Sequence, residues 1–379
     1  MNRLIAIGKK ELLQLARDRM TLAMMVALPV LQLLLFGYAI DTDVRHIPTV
    51  VYDQDHSAES RDLARSLEAT GFYDLEGQVR SYDEIGRALR SDRARVALVV
   101  PSGYSRDLGA GRSTQVQLVV DGSDPQTVAS ATNTAASLVA ARSAEMLVTR
   151  FAASGTAAGA SPPEGQPLEL EPTTWYNPDL RTAVYVVPGL IGVILTMTMV
   201  MLTAMAIARE RERGTLEALI VSPVRRIELV VGKIAPYVLI GYAQITLVLL
   251  AGKIVFDVPL VGSLLLLYAL SFVFIAANLA LGLFFSTLAR TQQQAMQMSF
   301  FFLLPNILLS GFIFPWEGMP VPAQWLSQIL PLTHFLRIVR GITLKGSTFT
   351  DVAGELAWLT AILLALVAIA SARFRKKLV

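Results

Sequence analysis

A chain of 379 residues that is 53% hydrophobic and only 17% charged is too apolar to be wholly soluble, and the same balance excludes disorder. It has no cysteine, which removes disulfide scaffolds, thiol catalysis and cysteine zinc sites. Its three histidines, His46, His56 and His334, are too scattered for a metal centre, and its net charge of +3 is the sum of unlike parts.

In chain order, residues 1–19 are charged and amphipathic, and the uncharged run 20–40 is the first predicted transmembrane helix. A bilayer core needs roughly 20 apolar residues as helix, because backbone polar groups must pair internally in lipid. The run exceeds a signal-peptide core and follows a long charged stretch, so it reads as an uncleaved span. Residues 41–181 then pattern as an α/β domain. Ile47–Tyr52, Val96–Val100 and Val116–Val120 read as strands, Ser57 and Ser81 as helix caps, and a long Ala/Ser/Thr-rich helix runs from near Pro125 to about Phe151. Residues 152–172, rich in Ala, Gly, Ser and Pro, read as a flexible segment. The domain has 13 Arg, no Lys and 20 acidic residues, a net charge of −7 that repels nucleic acid. Its carboxylates are scattered over helix surfaces, without an acid–base pair.

Further predicted spans are 182–208, 234–252, 258–289, 291–316 and 352–372. A loop over 209–233, Arg290, an outer segment 317–350 and a tail 373–379 connect or end them. With both termini inside, the cytoplasmic pieces carry 16 basic residues and the short outer loops only Lys253, Arg337, Arg340 and Lys345. This positive-inside bias makes the fold a polytopic α-helical membrane protein: six transmembrane helices, with a large α/β extracytoplasmic domain between helices 1 and 2. Arg337 and Arg340 lie on the unfavoured side and need an explanation.

No G-x-x-x-x-G-K-[ST] occurs, so any ATP is bound by another chain. The stretch Arg209-Glu210-Arg211-Glu212-Arg213-Gly214-Thr215, continuing through Glu217 to Pro223, alternates charge as a water-exposed helix end does, and Gly214 permits a turn. It is either an ordinary charged loop or a docking helix for a cytosolic partner.

RERERGTLEALIVSPVRRIELVVGKIAPY resembles the cytoplasmic loop of ABC-2 type transporter permeases, and PLTHFLRIVRGITLKG, Pro331–Gly346, is similar to that family's outer segment before its last helix. Lys9–Arg19 and the large outer domain also fit the drug-export-like half-transporter branch. The resemblance implies the membrane subunit of a bacterial ABC exporter in the inner membrane, a homodimer or a heterodimer with a sibling permease. It implies ATP and magnesium on separate cytosolic ABC ATPase subunits, no cofactor or metal on this chain, and so no enzyme activity of its own. In that family residues 1–19 correspond to an amphipathic connecting helix, with Leu4, Ile5, Leu12 and Leu15 opposite Arg3, Lys9 and Lys10. Glu210, Glu212, Gly214, Thr215, Glu217 and Pro223 correspond to the ATPase-coupling loop, and 317–350 to a segment folded partly back into the membrane.

A substrate route is drawn from polar and adaptable residues inside the spans: Met197, Met201, Met205, Asn278, Gln294, Gln297, Phe301 and Asn306. Helix packing or an interfacial amide is the stronger explanation of each. A hydrophobic or amphiphilic small molecule, drug-like or lipid-like, is the expected cargo. A periplasmic adaptor (membrane-fusion) protein is a possible further partner of 41–181. The rival reading is a scaffold or ligand sensor acting through that domain without transport.

Overall fold

The computed structural model describes residues 44–153, 166–214 and 226–375. The expected connecting helix 1–19, the first span 20–40, Thr215, Glu217 and Pro223 lie outside the described residues, as do most of 152–167 and the end of the tail.

Five strands form one mixed sheet: β1 (Ile47–Asp53), β2 (Tyr73–Gln78), β3 (Val96–Val100), β4 (Thr114–Asp121) and β5 (Leu168–Trp175), in the order β2-β1-β3-β4-β5. Only the β3–β4 pair is antiparallel. All five residues of β3 are buried, as a central strand covered on both faces requires. On one face Leu98, Leu118 and Val120 meet α1 (Ala58–Ala69) and α4 (Pro125–Ala153); on the other, Ala97, Val99 and Val119 meet α2 (Tyr82–Arg90). Helix α4 buries Val128, Ala131, Ala135 and Val139, a helical stripe whose small members allow close approach to the sheet. A short α3 (Tyr104–Gly109) joins β3 to β4. Both predicted caps form: Ser57 accepts from Ser60 N–H, and Ser81 accepts from Glu84 N–H.

Strand β5 corrects the sequence reading. Residues 168–172, taken as part of a flexible segment, pair in parallel with β4. Leu168 is fully buried and its carbonyl accepts from Ser143 Oγ at 2.7 Å. The strand hides because it is an edge of alternating Leu and Glu containing Pro172, which an edge tolerates.

The second unit is helical: α5 (Thr182–Glu212), α6 (Arg226–Phe256), α7 (Leu264–Leu288), α8 (Gln292–Leu309), α9 (Val321–Gln328), α10 (Pro331–Arg340) and α11 (Phe349–Arg375). Among the described residues, α5, Ala235–Phe256 of α6, α7 and Phe349–Ala372 of α11 are long and apolar enough to cross a membrane. Helix α8 has 18 residues, about 27 Å at 1.5 Å per residue. The apolar run 258–289 does not become helix over its whole length. Ser263 caps α7 by accepting from Leu266 N–H, and Val261 N–H donates to Thr343 O at 2.9 Å, so 258–262 is a loop docked on the chain between α10 and α11. The run 291–316 likewise stops as helix at Leu309, followed by Gly311 at φ 83°.

The bundle core joins α5, α7 and α10, with Phe274 and Phe335 stacked at 4.0 Å. Helices α5 and α7 cross at Gly282, where a Cβ would lie 2.7 Å from the Val200 carbonyl oxygen. After α10 the chain makes a five-residue π-helical turn, Gly341–Lys345, and Gly346 at φ 66° leads into α11.

Candidate functional site

Two regions concentrate chemistry. The first is the end of α5 around Glu212. Arg211 Nη1 donates to the carbonyls of Ser286 at 3.0 Å and Ala289 at 2.6 Å, placing a cation on the carbonyl-rich end of α7. Glu212 accepts from the backbone N–H of Gln292 at 3.0 Å and its side-chain amide at 2.6 Å, placing an anion on the N-terminus of α8. Arg209 Nε donates to Gln292 Oε1 at 3.0 Å. Arg209, Arg211 and Glu212 therefore clamp the α7–α8 corner to α5, and Gly214, exposed, follows them at φ 68°. Glu210 is half-buried beside them.

The substrate-route candidates differ in burial and bonding. Met197 is 45% exposed on α5, while Met201 and Met205 are half-buried. Met205 packs with Phe285 and Phe302. Asn278 is buried and its amide donates back to Phe274 O at 2.9 Å, a helix-internal bond that leaves Oδ1 without a partner among the described residues. Asn306 is buried with neither amide atom partnered among the described residues. Gln294 Oε1 accepts from Arg290 N–H, a cap on α8, and Gln297 and Phe301 are half-buried.

The second region escaped the sequence reading. Lys345, 4% exposed at the end of the π-helical turn, reaches into the α/β unit. Its ammonium lies 2.6 Å from Asp121 Oδ2, contacts the Asp92 carboxylate, and donates to Leu89 O at 3.1 Å. Arg95 bridges the same acids, at 3.0 Å from Asp121 and 3.2 Å from Asp92, and pairs with Glu317 at 3.2 Å. Ser347 Oγ donates to Arg90 O at 3.0 Å. The strands bring these groups together: Asp121 ends β4, Arg95 precedes β3, and Asp92 occupies the α2–β3 turn at φ 54°. Beside them is a cavity of about 30 Å³, bordered also by Asp124, Trp316 and Arg340.

Burial pushes the Asp121 pKa up, but Lys345 and Arg95 more than reverse it and hold it at about 2. Asp92 is likewise held below the ordinary carboxylate value, burial being outweighed by Arg95 and then Lys345. For Arg95, burial is outweighed by Asp92, Glu317 and Asp121, which keep it firmly charged. Asp124 moves the other way: burial raises it and Arg340 offsets only part.

The two arginines on the unfavoured side have partners here. Arg337 Nη1 donates to Glu355 Oε1 at 2.9 Å and its guanidinium lies 5.1 Å from the Trp316 ring centroid. Arg340 donates to Gly311 O at 3.0 Å with its guanidinium 4.0 Å from the Tyr185 ring centroid. His334, fully buried, contacts Glu355 at 2.6 Å and Gln328 O at 2.8 Å. The one sequence signal for this junction was a set of basic residues on the wrong side of the topology, facing a domain of net charge −7.

A family model described as ABC-2 family transporter protein matches residues 19–372. "Probable multidrug ABC transporter permease YbhR" of Escherichia coli (strain K12) is 32% identical, over 99% of each chain. "Probable multidrug ABC transporter permease YbhS" of the same strain is 28% identical over 91% of this chain and 89% of its own. "Inner membrane transport permease YhhJ", also of that strain, is 28% identical over 98% and 96%. Similar from end to end to such permeases and carrying helices long enough to cross a bilayer, the chain belongs to the ABC-2 family of transporter proteins.

Proposed function

We propose that this chain is the permease subunit of an ATP-driven exporter that moves a hydrophobic or amphiphilic small molecule out of the cytoplasm or inner leaflet. It sits in the bacterial inner membrane as six spans, with both termini cytoplasmic and the α/β unit outside. It works as a dimer, with itself or a sibling chain, on separate ATP-binding subunits. The multidrug and inner-membrane names of its relatives support the cargo class and the location.

The observation that carries the mechanism is the clamp at the end of α5. A partner pulling on the loop beyond Gly214 acts on a helix end already bonded to α7 and α8, so the force reaches three helices at once. Two arrangements of the bundle, selected by nucleotide, then alternate access; transport requires that cargo bind them unequally.

The test is reconstitution of the chain with its separately encoded ATPase in liposomes, following efflux of an amphiphilic dye. ATP-dependent efflux is expected. Failure of the ATPase to co-purify, with no ATP-dependent efflux, refutes the reading.

A further inference from the structure

We propose that Lys345 is a releasable positioning residue: it pins the last span to the α/β unit in this state and withdraws from Asp92 and Asp121 during the transport cycle. The first arm of its test is independent of the exporter reading, and the second rests on it.

Three features support release rather than a permanent rivet. Lys345 is not the only cation serving its acids. Arg95 contacts both Asp92 and Asp121, so the half-buried Asp92 and the buried Asp121 each keep a cation contact when the ammonium leaves. The residue also stands on a π-helical turn, a rare form that recurs as short bulges at functional sites. Conversion of that turn to α-helix removes one residue from the repeat and swings Lys345 by roughly 100° about the axis, out of reach of Asp121. Finally, the departing ammonium has somewhere to go, because it borders the water-sized cavity beside Arg95 and Asp124.

The same turn is held from a second side. Thr343 O accepts from Val261 N–H, and Gly262 lies so close to the Ile342 carbonyl that a side chain there would collide with it. The turn is thus where the α6–α7 loop, the α/β unit and α11 meet. A change in the bundle that shifts α6 and α7 bears directly on it.

The chain has no cysteine, so an introduced pair can be oxidised without background. Arg90→Cys with Ser347→Cys bridges the junction next to Lys345 and leaves Lys345, Arg95, Asp92, Asp121 and Glu317 in place, since the Ser347 hydroxyl donates to the Arg90 backbone oxygen and its N–H to Gly341 O. In the full chain in nanodiscs the pair is expected to oxidise rapidly, and at least tenfold more slowly when Lys345→Met is added. Equal rates with and without Lys345 overturn the pin. In the second arm, the oxidised pair reconstituted with the ATPase is expected to stop efflux, and a reductant to restore it. Efflux undiminished by the disulfide overturns release. If the unaltered chain shows no ATP-driven efflux, the exporter reading fails while the first arm still decides the pin.

Discussion

Single residues carry the ionic junction, and their substitutions should not be equivalent. Asp121 is 1% exposed between two cations, so Asp121→Asn removes a buried charged partner from both, while Lys345 keeps Asp92 and Arg95 keeps Asp92 and Glu317; a loss of about 2–3 kcal/mol is expected in denaturant unfolding. Asp124→Asn should lose about 1 kcal/mol or less, because burial already disfavours its charged form and its bonds are to Gln126 N–H and the Thr127 hydroxyl. Equal losses for the two would contradict the charge assignment. The same groups set an acid limit. The folded pKa of Asp121 lies near 2, below its ordinary 3.8, so its stabilisation is present above about pH 4 and drains away as pH falls through 2. Asp124, raised instead, contributes in the opposite sense and loses stability as pH rises through its folded pKa. Unfolding midpoints of wild type and Asp121→Asn from pH 6 to 2 should therefore converge at the acid end.

At the scale of elements, α5 and α7 depend on backbone approach. Gly282→Ala places a methyl against the Val200 carbonyl, which cannot yield as a flexible side chain can. A loss of about 1–3 kcal/mol is expected in thermal unfolding of the detergent-solubilised chain, and an unchanged midpoint would show that the crossing is looser than drawn. How far elements could be read from residues depended on the range of the forces involved. Ser57 and Ser81 were legible because a cap is a bond between a side chain and a backbone three residues away. The long helix from Pro125 was legible because proline suits a first helical turn and the Ala-rich run behind it favours helix. Strand β5 was not, since only pairing with β4, about fifty residues earlier, makes a strand of LELEPTTW. Nor was the beginning of α7: 258–262 is as apolar as the helix that follows, with Val258 buried and Val261 64% exposed, and apolarity measures transfer out of water rather than helicity. The π-helical turn depends on partners about 250 residues away, at Leu89 and Asp92, which no local pattern announces.

For the whole molecule, charge polarity was the most informative quantity, and it meant more than topology alone. The α/β unit and the helical unit exchange charge in both directions: Lys345 of the helical unit meets Asp92 and Asp121, Arg95 of the α/β unit meets Glu317, and Arg337 pairs with Glu355 close by. At the opposite end of α5, Arg211 and Glu212 bind the α7–α8 corner. The helical unit is thus fastened at two ends by charge and filled between by Phe274, Phe335 and their neighbours. Such a body can transmit a displacement from one end to the other. The most direct measurement is ATP turnover by the reconstituted complex of this chain with its ATPase, comparing wild type with Glu212→Arg and Gly214→Pro. Glu212→Arg puts a cation at the N-terminus of α8, and proline cannot adopt the φ of 68° at Gly214. Both should lower cargo-stimulated turnover at least tenfold, about 1.4 kcal/mol of coupling, while the chain remains folded and membrane-inserted. Turnover and ATPase binding unchanged in both variants would contradict transmission through this corner.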